Sequence, residues 1–406
     1  MMYIRNYGRT LVAPFFVGMC FGACGGDTGA ADVGLDLVSP QDIPVDVVEV
    51  EPDIAAFADS ADSGSDVQII EQPCSAGSPL ACRYQSRDKS SDERGDLSVT
   101  EPVTGRELPI LARIPVGGPD PSPVVIWSHG GAFFEGGERQ SKEWGLLFAS
   151  QGFVVLHIGH SELGAEVDAV CTAAAMPANE CADAKAGDDE NGGLVTVARS
   201  YDIVAVLDAL PRLAGLITAA GGPALDLEKV VVAGWSGGSR GPMVVMGATL
   251  RPSPSAPIFA NAHALPAAAM FLSPSGPGFG GFFLIAEETS WEAMRGPTFM
   301  ATGANDVKPS SPELDGPTRR IPFAAQPGDG KRFMLFSSLA VGVGGHGSYN
   351  LGDTEGDPRL VRLESAIQSA ARAFLDAVLR DDSTAKTWLS SNAARILASE
   401  AEWLKR

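Results

Sequence analysis

Residues 229–241 read KVVVAGWSGGSRG. Three valines and an alanine in succession are what a strand covered on both faces requires. Gly234-Trp235-Ser236-Gly237-Gly238 follows directly. A buried strand running into G-x-S-x-G, with a helix-like segment behind it, is the sequence form of a nucleophile elbow. Such a turn is sharp and strained, and a side chain at either glycine flank would collide with the neighbouring strand or helix. It lifts the Ser236 hydroxyl above the sheet edge and leaves the Gly237 amide free to donate to an oxyanion. In a chain with 47 glycines the motif also arises by chance, so its meaning depends on partners elsewhere.

Working outward, the chain alternates strands and helices. Residues 96–116 alternate in polarity about a turn at Thr104-Gly105, as an antiparallel hairpin at a sheet edge would. Residues 123–127 and 153–157 are short apolar runs that read as buried strands. Between them residues 141–151 have helical character, with Gly152 as the stop. The segment 161–193 breaks the rhythm: it is rich in Ala, Asp and Asn and contains a cysteine pair, so it reads as a disulfide-pinned insertion. A helix is expected over 194–213, the nucleophile strand over 229–233, and further strands over 267–272, 297–302 and 332–337. Helical periodicity resumes over 357–380, and 383–405 is expected to form one or two more helices. Strands alternating with helices imply an α/β fold with a mostly parallel central sheet and right-handed crossovers.

A serine nucleophile needs a base and a group to orient that base. Five histidines make the search short. His157 lies within an apolar strand, where a lone histidine is usually a satisfied core residue. His160 sits at that strand's end, and His263 in a Pro/Ala-rich stretch. His129 opens the loop His129-Gly130-Gly131-Ala132-Phe133 and reads as an anchor of that loop. His346, bracketed by glycines in Gly344-Gly345-His346-Gly347, follows the strand at 332–337 and can swing over the sheet edge. It is the expected base. The orienting carboxylate should follow an intervening strand. Asp306, in the loop after 297–302, is the choice over Glu287, Glu288, Glu313 and Asp315. The chain order Ser236, Asp306, His346 is that of α/β-hydrolases. Small residues at Gly131 would let a backbone amide approach a developing oxyanion, with Gly237 as the second donor.

The formal charge of −20 argues against nucleic-acid binding, which needs clusters of Lys and Arg. That charge is unevenly spread: residues 25–73 hold 12 Asp and Glu and no Lys or Arg. Single-sign charge with few aromatics describes a solvated linker, and no D-x-D-x-D-G spacing supports calcium. Before it, Arg5 and Arg9 precede an apolar stretch over 11–23 that is short for a bilayer span. Phe21-Gly22-Ala23-Cys24 resembles the lipobox of bacterial lipoprotein signal peptides, although Phe21 stands where leucine is usual. The resemblance implies a signal peptide over 1–23 and lipidation of Cys24 after cleavage; the alternative is an ordinary secretory peptide cut nearby. Either way the chain is exported, with the linker spanning 24–73 and the folded domain 74–406. In an oxidising compartment Cys74 with Cys82, and Cys171 with Cys181, read as two local disulfides. No histidine lies near enough in sequence to complete a zinc site with either pair, and no metal is expected.

These motifs together resemble the predicted dienelactone hydrolase and platelet-activating-factor acetylhydrolase-like branch of the α/β-hydrolases. The likeness rests on WSHGGAF at 127–133, GWSGG at 234–238, RSYDIVAVLDAL at 199–210, Arg320-Ile321-Pro322-Phe323 and FLDAVLRDDSTAKTWL at 374–389. It covers residues 97–389. It implies an α/β-hydrolase fold and ester hydrolysis through an acyl-serine, without a cofactor. Ser236 would be nucleophile, His346 general base and acid, Asp306 the orienting group, and Gly131 and Gly237 the oxyanion donors. Dienelactone hydrolases proper have cysteine where Ser236 stands, so that activity is not implied. Phe133, Phe134, Trp235 and residues 279–283 could line an acyl pocket or belong to the core. Short-chain acyl esters are the expected small-molecule substrates. Polymer esters (polyester or acetylated polysaccharide) are the second reading, and a non-catalytic surface binding protein the third.

Overall fold

The computed structural model describes residues 80–84, 91–131, 136–160, 166–186, 192–285, 288–307, 316–339, 344–352, 354 and 356–406. The expected signal peptide and linker, with Cys24, Cys74, Phe133 and Phe134, lie outside the described residues, as does the side chain of Cys82.

The hairpin expected at the sheet edge is formed by β1 (Ser91–Thr100) and β2 (Glu107–Pro115), paired antiparallel. Its turn is held by the Gly105 amide on the Glu101 carbonyl, with Gly105 at a φ of 74°. Next come β3 (Ser122–Ser128), α1 (Lys142–Ala149) and β4 (Val154–Ile158). The insertion folds into two short helices, α2 (Val167–Ala173) and α3 (Ala178–Lys185), joined by the Cys171–Cys181 disulfide. A loop of this length closed by a disulfide is stabilised by roughly 2–3 kcal/mol.

Helix α4 (Gly193–Ala219) runs six residues past its expected end and contains Pro211. Leu210, Leu213 and Ile217 are all buried, so the apolar stripe outweighs the hydrogen bond that proline cannot make. Strand β5 (Leu225–Trp235) leads into the elbow, and α5 (Arg240–Val245) follows it. Then come β6 (Ala268–Leu272), a two-residue hairpin of β7 (Leu284–Ile285) and β8 (Glu288–Thr289), β9 (Thr298–Gly303), α6 (Gly316–Ala324) and β10 (Arg332–Ser337). The chain ends in α7 (Pro358–Leu379), α8 (Ser383–Ser390), α9 (Ala393–Leu397) and β11 (Ala401–Lys405).

The final element corrects the expectation of helix to residue 405. Residues 401–405 instead pair antiparallel with β10, and Trp403 stacks on Phe333 at 5.8 Å. An otherwise open sheet edge next to a five-residue run gives a strand, where local pattern alone suggested helix.

The nine strands lie in the order β1-β2-β4-β3-β5-β6-β9-β10-β11. From β4 to β10 every pairing is parallel. Alternate residues feed two cores: Val124 and Ile126 of β3 pack with α4 and α5 on one face, while Val125 and Trp127 pack with α1 and α7 on the other. Coverage of both faces is what a parallel sheet requires. This is the α/β-hydrolase fold. The strand order reverses at β3, whose neighbours β4 and β5 lie on opposite sides, so the crevice at the carboxyl ends of β3 and β5 is where such a sheet opens to a ligand. Among the described residues no helix is long and apolar enough to cross a membrane.

Candidate active site

Ser236 follows β5 directly and has a φ of 56°, a left-handed conformation that few side chains adopt. The glycines around it are required by backbone rather than by side chains. A Cβ at Gly234 would lie 2.1 Å from the Gly238 carbonyl oxygen, and one at Gly238 would lie 2.1 Å from that of Ser128. A Cβ at Gly237 would meet the Gly131 carbonyl oxygen at 2.5 Å. The elbow is therefore pressed against the end of β3 and the loop beyond it, with Gly131 and Gly237 side by side. The two glycines expected as oxyanion donors thus approach each other, one of them directly after the serine.

His346, the expected base, comes from the loop after β10. A short 3-10 turn, His346–Asn350, is fastened to the core by Tyr349, whose carbonyl accepts from Trp144 Nε1 at 3.1 Å. His346 Nε2 lies 2.6 Å from Ser236 Oγ and accepts a hydrogen bond from it, while Nδ1 donates to Asp306 Oδ1 at 2.7 Å. The Trp235 ring lies 5.2 Å from the imidazole at an interplanar angle of 36°, and its Nε1 donates to the His346 carbonyl at 3.3 Å. Trp235 also fills the space a Cβ at Gly130 would need, at 2.3 Å. The indole thus touches both the histidine and the loop that begins at His129.

Asp306 is fully buried, whereas the His346 side chain is 19% exposed. A buried carboxylate is tolerable only when its lone pairs are occupied. Thr302 Oγ1 donates to Oδ2 at 2.7 Å, and Ser273 Oγ donates to Oδ1 at 2.9 Å. Arg319 Nε donates to the Asp306 carbonyl at 2.7 Å and lies 3.2 Å from Oδ1. Ser273 Oγ is also 2.9 Å from His346 Nδ1, so it accepts from the same N–H that the carboxylate holds. Ser273 follows β6 directly and has a φ of 50°.

The structure thus brings Ser236, Asp306 and His346 together as expected. Of the weighed alternatives, Glu288 lies in the small β7–β8 hairpin. Sequence reasoning missed Ser273, Thr302 and Arg319. Ser273 had one available signal: it stands at the carboxyl end of a parallel strand, as Ser128 and Ser236 do. Phe282 packs in the core against Trp291, and Phe279 is buried between the Arg240 and Arg319 cations. Both belong to the interior rather than to a pocket wall.

The other histidines divide differently. His129 anchors its loop as read, with Nδ1 donating to the Gly130 carbonyl at 2.8 Å and Nε2 accepting from the His160 amide at 3.4 Å. Those two roles fix a neutral ring, and burial lowers its pKa to about 2, with His160 and Arg199 adding to the effect. His157 corrects an expectation. It is buried in β4, but neither ring nitrogen has a hydrogen-bond partner among the described residues. Burial, with Arg113 nearby, lowers it to about 3. Among the described residues no cluster of His, Cys, Asp or Glu is arranged to hold a metal ion.

No protein-family model and no curated protein matches the chain. Among solved structures it is similar to esterase 2 of the planctomycete Thermogutta terrifontis. The native form shares 15% identity over 73% of this chain and 95% of the esterase, with a TM-score of 0.44. The form phosphoramylated by tabun shares 15% over 72% and 96%, at 0.42. The form phosphorylated by paraoxon shares 14% over 71% and 93%, at 0.41. The chain's own sheet order and elbow define it as an α/β-hydrolase fold.

Proposed function

We propose that the protein is a serine esterase cleaving short-chain carboxylic esters through an acyl-serine intermediate, of the dienelactone hydrolase and platelet-activating-factor acetylhydrolase-like type. The observation that carries the reading is the 2.6 Å approach of Ser236 Oγ, on its left-handed turn, to His346 Nε2. As Oγ attacks the ester carbonyl, its proton passes to Nε2, and Asp306 stabilises the imidazolium through Nδ1–H. The carbonyl oxygen becomes an oxyanion received by the Gly131 and Gly237 amides. Collapse expels the alcohol, which takes the proton from His346. Water, deprotonated by the same ring, then releases the acid and restores Ser236. Every proton and charge is handled by groups of this chain.

The Cys171–Cys181 disulfide supports export to an oxidising compartment, with Cys24 as the proposed lipid anchor. Hydrolysis of acetyl, butyryl and octanoyl aryl esters tests the function. Turnover should fall from the shortest chain to the longest, and Ser236→Ala should abolish it. Failure to cleave any ester, or full turnover in Ser236→Ala, would contradict the proposal.

A further inference from the structure

Behind the oxyanion loop lies a second polar assembly that the ester mechanism does not use. Its centre is Arg199, on α4, which is wholly buried. Nη1 donates to the His129 carbonyl at 2.5 Å and lies 3.3 Å from Ser128 Oγ. Nη2 donates to the Gly131 carbonyl at 2.9 Å. Ser128 Oγ in turn donates to His160 Nε2 at 2.7 Å, and His160 Nδ1 donates to Asp202 Oδ2 at 2.8 Å. Asp202, one helical turn after Arg199, also pairs with Arg106. The ring of bonds therefore leaves α4 at Arg199, passes through the ends of β3 and β4, and returns to α4 at Asp202.

Three successive peptides of the loop are pinned by their carbonyls. Arg199 holds those of His129 and Gly131, and the His129 ring holds that of Gly130. A trans peptide is planar, so a fixed carbonyl aims the following N–H the opposite way. The amides of Gly130 and Gly131 are thereby oriented before any substrate arrives. The Gly131 carbonyl that Arg199 grips is also the atom pressed against Gly237, so one guanidinium fixes the loop against the elbow.

Burying a cation here is expensive, which argues that it has a purpose beyond packing. Burial, with Arg240 near, lowers the Arg199 pKa to about 9 against the pull of Asp202, which still leaves it charged at neutral pH. Burial likewise pushes Asp202 up to about 7, opposed by Arg106 and Arg199. His160 lies well below its ordinary value and stays neutral, as its single shared proton on Nδ1 requires.

We propose that Arg199 is a positioning residue for the oxyanion loop, with Ser128, His160 and Asp202 holding its guanidinium in register. The inference rests on the esterase reading. A lysine at 199 keeps the buried charge, but its single ammonium cannot clamp two carbonyls and a hydroxyl in one plane. The experiment compares the full chain with Arg199→Lys, Arg199→Met and Ser128→Ala. It measures kcat and KM on a short aryl ester and the affinity for an alkyl boronic acid, which forms a tetrahedral adduct on serine. Active sites are counted by titration, so that unfolded protein does not register as slow enzyme.

Arg199→Lys should lower kcat per site on the order of 10²-fold, the scale of a misplaced reacting group or a lost oxyanion donor. KM should stay within about threefold, and boronate affinity should fall in parallel with kcat. Arg199→Met should lose at least as much. Ser128→Ala, which leaves both carbonyl bonds in place, should lose only a few-fold in kcat. Wild-type kcat and boronate affinity in Arg199→Lys would overturn the proposal while leaving the esterase intact, as would a loss confined to KM. Should neither Arg199 variant fold, Ser128→Ala decides, and unchanged kcat and boronate affinity there would count against it. A wild type inert on esters would remove the esterase reading and this inference with it.

Discussion

Two Ser–His–Asp arrangements stand at the carboxyl ends of neighbouring strands in this molecule. In Ser236–His346–Asp306 the hydroxyl-to-imidazole distance is 2.6 Å and the imidazole-to-carboxylate distance 2.7 Å. In Ser128–His160–Asp202 they are 2.7 and 2.8 Å. By hydrogen bonds alone the two are indistinguishable, yet their surroundings are opposite. Ser236 sits on a left-handed turn with a partly exposed histidine, whereas Ser128 is the last residue of a regular strand and all three members of its set are fully buried. Ser128 Oγ also faces Arg199 Nη1, so its lone pair points at a cation. On the proposed reading, the backbone turn and exposure, rather than the bond pattern, separate a nucleophile from a structural hydroxyl.

That comparison breaks most sharply at the carboxylates. Asp306→Asn should reduce kcat on the order of 10⁴-fold, because an amide leaves the imidazole in the wrong tautomer. Asp202→Asn should leave much more of kcat per active site, and should instead cost roughly 3–5 kcal/mol of stability by removing the carboxylate paired with the buried Arg106. Kinetics with active-site titration and urea unfolding read the two effects separately. Equal kinetic losses in the two variants would erase the distinction.

A smaller effect sharpens the catalytic side. Ser273→Ala removes a hydroxyl shared between Asp306 and His346 and should slow kcat about tenfold, the worth of one hydrogen bond to a charged group. Unchanged kcat would reduce Ser273 to packing.

The smallest effect tests the buried histidines away from both sets. His157 is held neutral in the native state, with its pKa lowered from 6.5 to about 3. The unfolded chain therefore takes up a proton that the native chain refuses. This residue's contribution is intact above pH 6.5 and is lost progressively as the pH falls toward 3. His157→Leu should flatten the acid-side slope of unfolding free energy by about 1.4 kcal/mol per pH unit. An unchanged slope would mean that the ring is protonated in place.

How much of this was legible in the sequence follows from where each signal lies. The elbow, the run of strands along the chain and the expected triad depend on local patterns: a valine run before G-x-S-x-G, and glycine-bracketed loops after strands. The second polar set was illegible because its members look like ordinary residues of apolar elements. Arg199 and Asp202 lie one turn apart on a buried helix face, and only assembly shows that they meet Ser128 and His160. The terminal strand was missed for a related reason, since residues 401–405 become a strand only through pairing with β10. The satisfied state expected for His157 failed because no polar neighbour reaches it in β4.

The most direct measurement is to map the site of covalent labelling by a fluorophosphonate, which reacts only with an activated serine. A single modified peptide containing Ser236 is expected, with complete loss of label in Ser236→Ala and retained label in Ser128→Ala. A native protein that takes up no label, or takes it up at a serine other than 236, would contradict it.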